Sequence, residues 1–194
     1  MLLLLIRSLK CWNARSVFTR WNLSSWHFFF LGAAFLLLEV QNISKSSVVL
    51  GNTWEVNAII ISGVLCMILL ANMIAAKFPR LPLVPVYILL FGSCFFLYLI
   101  DIARFAFLPY AIKATIVGGL TTLPMVFSGI IFIRSFTNAN KKDESLGANL
   151  LGALVGALLQ SITFITGIKA LLIIVMGFYF LAMLTKPYIS EQYT

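Results

Sequence analysis

The chain has 194 residues, of which 61% are hydrophobic and only 10% are charged. Soluble domains carry about a quarter charged residues, and a globule of this size could not bury so much apolar surface, so the composition argues against a soluble fold. The net charge of +8 accompanies no recognition motif, which indicates the basic excess of cytoplasmic loops in membrane proteins rather than nucleic-acid binding. The sequence predicts an all-α, polytopic membrane protein.

The residues that usually carry metal or nucleophilic chemistry are few. The three cysteines, Cys11, Cys66 and Cys94, form no CxxC pair, and His27 is the single histidine of the sequence. A thiolate or histidine metal cluster therefore cannot be assembled from this pattern. We predict no metal, no cofactor and no enzymatic activity, and we expect His27 to lie at the membrane interface as an anchor.

The predicted elements divide the chain into three parts. Residues 1–26 mix Trp with Arg and are expected to form an interfacial N-terminal segment. Residues 27–186 form the transmembrane helical domain, and residues 187–194 form a C-terminal tail. The hydrophobic runs of the middle part predict six spans, at residues 27–50, 54–76, 83–100, 112–133, 146–165 and 169–184.

The first span carries an unusual set of polar residues. Glu39, Asn42, Lys45 and Ser46 follow at steps of three and four residues, so we expect them to share a face that looks into protein or water. Lys45 is expected to be structural or to snorkel to the membrane surface. Asn57, in the second span, either lines a polar path or forms an interhelical hydrogen bond.

Glu39 is the sharpest candidate for a functional group. A carboxylate near the bilayer centre costs about 2.5–3.5 kcal/mol on insertion scales, so it has a partner or a function. One interpretation is a proton or cation site. The other is a structural hydrogen bond to Asn42, or an ion pair with Lys45, Lys113 or Arg104.

Small residues mark a packing face on the fifth span. Gly152 and Gly156 form a GxxxG motif, and Ala148 extends the small-residue stripe by one turn. Small residues let helix backbones approach closely, which is the main source of helix association in lipid. This stripe predicts close packing against another helix or a partner.

Pro124 lies inside the fourth span. Proline removes one backbone hydrogen bond, so the sequence predicts a kink there, either static or acting as a hinge. We expect the hydroxyls of Thr121 and Thr122 to help satisfy the carbonyl that is freed.

Orientation follows from the distribution of Lys and Arg between alternate ends of the spans. An inside N-terminus places ten basic residues inside and four outside, which predicts a multi-pass protein of the inner (plasma) membrane with both termini in the cytoplasm. The inside set is Arg7, Lys10, Arg15, Arg20, Lys77, Arg80, Arg134, Lys141, Lys142 and Lys186, and the outside set is Lys45, Arg104, Lys113 and Lys169.

Three segments carry a family resemblance. They are HFFFLGAAFLLLEVQNISKSSVVLGNTWEVN at residues 27–57, LPMVFSGIIFIRSF at residues 123–136, and LGANLLGALVGALL followed by TGIKALL within residues 146–184. In this order they resemble the C-terminal membrane region of bacterial spermidine-synthase-like fusion proteins. The resemblance implies six helices similar to half of a major facilitator fold.

The sequence also departs from that family. The Rossmann-type catalytic domain of the relatives is absent, since no glycine-rich nucleotide loop and no acidic polyamine cluster are present. Val40 and Gln41 stand where relatives have a basic residue, and Gln160 stands where they often have Glu. Any ion pair or proton site that uses those positions is therefore not expected in this chain.

Two functions remain open on the sequence. The first is a non-catalytic membrane module that anchors, scaffolds or regulates a partner: a soluble synthase-like chain, a larger membrane complex or a second copy. The second is a six-helix half-transporter that works as a dimer on a cationic or amphiphilic solute such as a polyamine, with Glu39 facing the solute.

Overall fold

A computed structural model of the chain describes residues 21–186. This part is helical, with no β-strand between residues 21 and 186, as the predicted all-α class requires. Short 3-10 turns lie at Ile102–Phe105 and Gln160–Ile162. The α-helices are α1 (Leu23–Leu50), α2 (Trp54–Lys77), α3 (Leu83–Leu99), α4 (Tyr110–Thr137), α5 (Lys142–Leu159), the single turn α6 (Thr163–Thr166) and α7 (Ile168–Leu184).

The first helix begins earlier than the hydrophobic run indicates. The side chain of Asn22 accepts a hydrogen bond from the Ser25 backbone N–H at 2.9 Å, which makes Asn22 the N-cap and starts α1 at Leu23. The helix therefore begins four residues before the predicted first span, residues 27–50, while the boundary between the interfacial segment and the membrane stays a prediction. Most of the predicted N-terminal segment and the tail 187–194 lie outside the described residues.

Helix length separates the six predicted spans into two groups. Between residues 21 and 186, four helical runs are long and apolar enough to cross a membrane: Leu23–Leu50, Trp54–Lys77, Tyr110–Thr137 and Lys142–Thr166. The other two, α3 and α7, have 17 residues each. At 1.5 Å per residue they are about 26 Å long, slightly short of a hydrocarbon core of about 30 Å.

The centre of the fold is a ring of four helices. α1 packs against α4 and α7, and α3 closes the ring by packing against the same two helices. α2 lies outside the ring, mainly on α4, and α5 lies outside it on α1. α1 therefore contacts helices on nearly every side, which explains why half of its apolar window is buried, against 17% for the α5 run.

Residue contacts fix the direction of each helix. His27, near the start of α1, contacts Ser135 and Ala182, near the ends of α4 and α7, so both helices run antiparallel to α1. α5 runs parallel to α1, and α2 runs parallel to α4. The pairs that show this are Ser46–Thr121 for α1 and α4, Phe30–Phe178 for α1 and α7, Phe29–Gly152 and Ala33–Gly156 for α1 and α5, and Gly63–Thr122 and Ala71–Gly129 for α2 and α4.

These directions give the bundle two distinct ends. The end at which α1 begins, called here the basic end, also holds the α2–α3 and α4–α5 connections and the end of α7. The opposite end holds the remaining connections. Within the described residues, the basic end carries Lys77, Arg80, Arg134, Lys141, Lys142 and Lys186, and the opposite end carries Lys45, Arg104, Lys113 and Lys169.

The small residues of α5 lie directly against the backbone of α1. Ala148, Gly152 and Gly156 are all buried. A Cβ added at Gly156 would lie 2.6 Å from the Ala33 carbonyl oxygen, and one added at Gly152 would collide with the Phe29 carbonyl. The packing face therefore serves contact within one chain, between α5 and α1.

Pro124 is buried inside α4, which continues as one helix from Tyr110 to Thr137. The two threonine hydroxyls do not bond where we expected. Thr121 donates to the Val117 carbonyl at 2.8 Å and Thr122 to the Gly118 carbonyl at 2.7 Å. Both acceptors lie before Leu120, whose carbonyl the proline frees, so each hydroxyl bonds the turn before its own residue instead.

Candidate functional site

The candidate site is a buried polar stretch on the second half of α1. Gln41, Asn42 and Ser46 are completely buried, and Lys45 is 7% exposed. They lie where α1 faces the helices of the central ring. Buried polar groups in an apolar bundle are costly unless they are hydrogen-bonded, so the partners of each one decide what this stretch can do.

Lys45 connects α1 to the end of α3. Its ammonium Nζ donates to the Leu97 backbone carbonyl. Leu97 is among the last four residues of α3, whose carbonyls have no donor within the helix. A cation at this position also meets the negative end of the α3 dipole. Lys45 is thus a C-terminal cap supplied by a different helix, and it does not snorkel to the surface.

His27 performs a similar role at the other end of α1. It is fully buried between helices, and its position at the level of the membrane interface stays a prediction. Nδ1 lies 2.6 Å from the Ala182 carbonyl oxygen of α7, and Nε2 lies 2.9 Å from Ser135 Oγ of α4. A carbonyl can only accept, so Nδ1 carries the proton, and Nε2 of the neutral ring accepts from the serine hydroxyl.

Two further hydrogen bonds join helices inside the ring. Ser46 Oγ on α1 lies 3.2 Å from Thr121 Oγ1 on α4. Ser128 on α4 and Tyr179 on α7 are joined through their hydroxyl groups, both of them buried. α1 is therefore tied by side-chain hydrogen bonds to α3, α4 and α7, the three other members of the ring.

Glu39 does not belong to this group. It is only half-buried, and within residues 21–186 its carboxylate forms neither a hydrogen bond nor an ion pair. The expected bond to Asn42 and the expected ion pairs with Lys45, Lys113 or Arg104 are thus not formed. Six residues of α-helix turn the chain by 600°, which places Glu39 about 120° around the axis from Lys45. The three- and four-residue spacing predicted that Glu39 and Lys45 share a face of α1, but they lie on different faces.

Asn57, the remaining predicted polar position, lies near the start of α2 and is half-buried. Its side chain forms no hydrogen bond to any group between residues 21 and 186, so it links no helices there. α2 packs outside the ring, mainly on α4.

Gln41 is the residue that sequence reasoning missed. All four nitrogen and oxygen atoms of the Gln41 and Asn42 side chains are buried, and none has a hydrogen-bond partner among the described residues. A signal for Gln41 was present, since Gln41 and Lys45 are four residues apart and therefore neighbours on the helix surface.

The described part of the chain offers no group of three or more His, Cys, Asp or Glu side chains that could hold a metal ion. Its two cysteines, Cys66 on α2 and Cys94 on α3, are unpaired. No protein-family model, curated protein or solved structure matches the chain.

Proposed function

We propose that this chain is a multi-pass membrane protein, with α1–α5 and α7 as its six spans, and that it acts as a non-catalytic module. In this role it anchors, scaffolds or regulates a partner protein or a larger membrane complex. The observation that carries the proposal is that three buried polar side chains of α1, His27, Lys45 and Ser46, tie four helices into one body.

The outward surface supports the membrane assignment. α5 exposes a ridge of leucines at every fourth position, and the exposed fraction reaches 69% at Leu158. α2 exposes a comparable set on the side away from α4. Such continuous apolar faces are unfavourable in water and favourable in lipid. The exposed side chains are Leu146, Leu150, Leu154 and Leu158 on α5, and Ile61, Leu65, Leu69 and Met73 on α2.

The two ends of the bundle support an orientation. The basic end carries six Lys or Arg against four at the opposite end, and the sequence that precedes α1 adds Arg7, Lys10, Arg15 and Arg20. The positive-inside rule then places this end, with both chain termini, in the cytoplasm. An aromatic cluster marks the same level: the rings of Trp21 and Trp26 are 4.8 Å apart, as suits an interfacial belt.

Packing favours a module over a transporter. Alternating access needs helices that rock or unwind around a solute. Here His27 joins α1 to α4 and α7, Lys45 joins it to α3, and Gly152 holds α5 against its backbone. These contacts favour a fixed arrangement of helices and present the outer faces of α2 and α5 to lipid or to a partner.

The alternative is a dimeric half-transporter for a cationic solute such as a polyamine. The charge inside the bundle argues against this function, because Lys45 is the charged side chain that is buried among residues 21–186, and its ammonium repels a cation. Glu39, the carboxylate expected to face the solute, lies on a different side of α1. The resemblance to spermidine-synthase-like proteins supplies a partner class instead: a soluble synthase-like chain.

The test is to purify the full chain from its native membrane in a mild detergent and to determine the composition and mass of the particle. We expect a stoichiometric protein partner that is lost with Gly152→Leu, which disrupts α5, and retained with Gly147→Leu, where a side chain meets open space. A clean homodimer that moves a solute across liposomes would contradict the proposal.

A further inference from the structure

The buried amides of Gln41 and Asn42 point to a ligand. Both side chains are completely buried, and their four polar atoms have no partner among the described residues. Each unpaired polar group in an apolar environment costs about 1–3 kcal/mol. Four unpaired polar atoms on two consecutive buried residues are rare in native proteins. We therefore expect these atoms to be hydrogen-bonded in the functional protein.

Lys45 lies beside this pair. In helical projection it falls between them, about 40° from Gln41 and about 60° from Asn42, one turn further along α1. An ammonium has three donors, and one of them is used by the Leu97 carbonyl. The remaining donors and the two amide NH2 groups make this part of the bundle rich in N–H groups.

The Lys45 ammonium also forms no salt bridge with a carboxylate among residues 21–186. Within residues 21–186, the one salt bridge is the exposed pair Lys141–Glu144, on a different part of the bundle. Asp101, which follows α3, is close enough to attract the Lys45 charge, and Lys169 is close enough to repel it. The Asp101 carboxylate accepts a hydrogen bond from the Ala103 backbone N–H at 3.1 Å and forms no salt bridge with Lys45. The α3 dipole supplies about half a unit of negative charge at Lys45. Buried charges are normally paired, so a counter-charge is needed here.

We propose that Gln41, Asn42 and Lys45 form a binding site for a small monovalent anion, a halide or a short carboxylate. The ammonium provides the counter-charge, and the two amides donate hydrogen bonds to the anion. Water could satisfy the amides but not the charge, and a metal cation would be repelled. This site lies inside one chain and goes beyond the proposed function, whose partner contacts the outer surface.

The probe is chloride. The purified full chain is transferred to sodium gluconate, whose anion is too large for this site, and gluconate is replaced stepwise by chloride at constant ionic strength. We expect the melting temperature to rise and saturate, because chloride binds the folded state. Gln41→Leu removes one hydrogen bond to the anion, so about tenfold more chloride should be needed for the same effect.

A second variant separates binding from folding defects. Asn42→Asp keeps the size of the side chain and places a fixed carboxylate beside Lys45. We expect this variant to melt above the wild type in gluconate and to lose its response to chloride. Asn57→Asp makes the same chemical change on α2, outside the ring, and should respond to chloride as the wild type does.

Two results would overturn the site. One is a wild-type melting temperature that ignores chloride, bromide and acetate alike. The other is an Asn42→Asp protein that still responds to chloride with the wild-type midpoint. Neither result bears on whether the chain binds a partner, so failure of the anion site and failure of the proposed module are distinguishable.

Discussion

His27 and Lys45 lie on the same face of α1, eighteen residues or five complete turns apart, about 27 Å along the axis. Each donates to a C-terminal carbonyl of another helix: His27 to Ala182 of α7 and Lys45 to Leu97 of α3. One face of α1 therefore caps two neighbouring helices at opposite ends of the bundle. Caps usually come from the helix that ends or from the residues after it, so this arrangement couples three helices.

Replacement of His27 tests this coupling. His27→Phe keeps a ring in the same space but leaves the Ala182 carbonyl and the Ser135 hydroxyl without their partner. We expect a loss of about 1–2 kcal/mol in the free energy of unfolding, measured by thermal melting in detergent. His27→Asn is the matched control, since its amide N–H can replace Nδ1. It should retain part of the stability, and equal losses for both variants would contradict the cap.

Two buried tyrosines make a second matched pair. Tyr179 shares a hydrogen bond with Ser128, whereas the Tyr87 hydroxyl is buried without a partner among the described residues. Tyr179→Phe should lower the free energy of unfolding by about 1 kcal/mol. Tyr87→Phe removes an unpaired polar group, so the melting temperature should stay constant or rise. If Tyr87→Phe lowered the melting temperature and Tyr179→Phe did not, the hydrogen bond between α4 and α7 would not be formed.

The contact between α5 and α1 can be tested with a single methyl group. Gly152→Ala places a Cβ against the Phe29 carbonyl, whereas Gly147→Ala, on the same helix, meets nothing within 4 Å. We expect Gly152→Ala to cost about 1–3 kcal/mol through overpacking. Gly147→Ala should be neutral or stabilising, because alanine favours the helix by up to about 1 kcal/mol. Similar melting temperatures for the two variants would show that α5 does not pack against α1 at Phe29.

Orientation is tested by labelling single cysteines in a chain whose three native cysteines are replaced by alanine. Asn140→Cys lies in the exposed α4–α5 connection at the basic end, and Phe107→Cys replaces a side chain that is 96% exposed at the opposite end. An impermeant thiol reagent added to intact cells should label Phe107→Cys and spare Asn140→Cys until the membrane is permeabilised. Labelling of Asn140→Cys from outside would reverse the orientation.

Hydrophobic runs predict helix positions well in this chain because an apolar segment must form its own backbone hydrogen bonds. The bounds of α2 differ from the prediction by one residue, at Lys77. α1 differs more, because its start is set by the Asn22 cap rather than by hydrophobicity. Spacing alone also predicted that Gly152 and Gly156 lie on one helix face, but not that this face meets α1.

The polar interior is harder to predict. Steps of three and four residues placed Glu39 with Asn42 and Lys45, but three- and four-residue steps accumulate an angular error along the helix, and Glu39 is half-buried on another side. The partner of Lys45 is a backbone carbonyl, which every residue possesses and no sequence pattern marks. The role of His27 depends likewise on how α4 and α7 end.

Flux through the reconstituted protein tests the central claim most directly. Wild type and Glu39→Gln are placed in liposomes, and proton and polyamine uptake is measured beside the melting temperature of each. Because Glu39 forms no ion pair within the described bundle, we expect Glu39→Gln to melt like the wild type, and we expect neither protein to move solute faster than empty liposomes. Robust wild-type flux that disappears in a well-folded Glu39→Gln protein would contradict the module and establish a transporter.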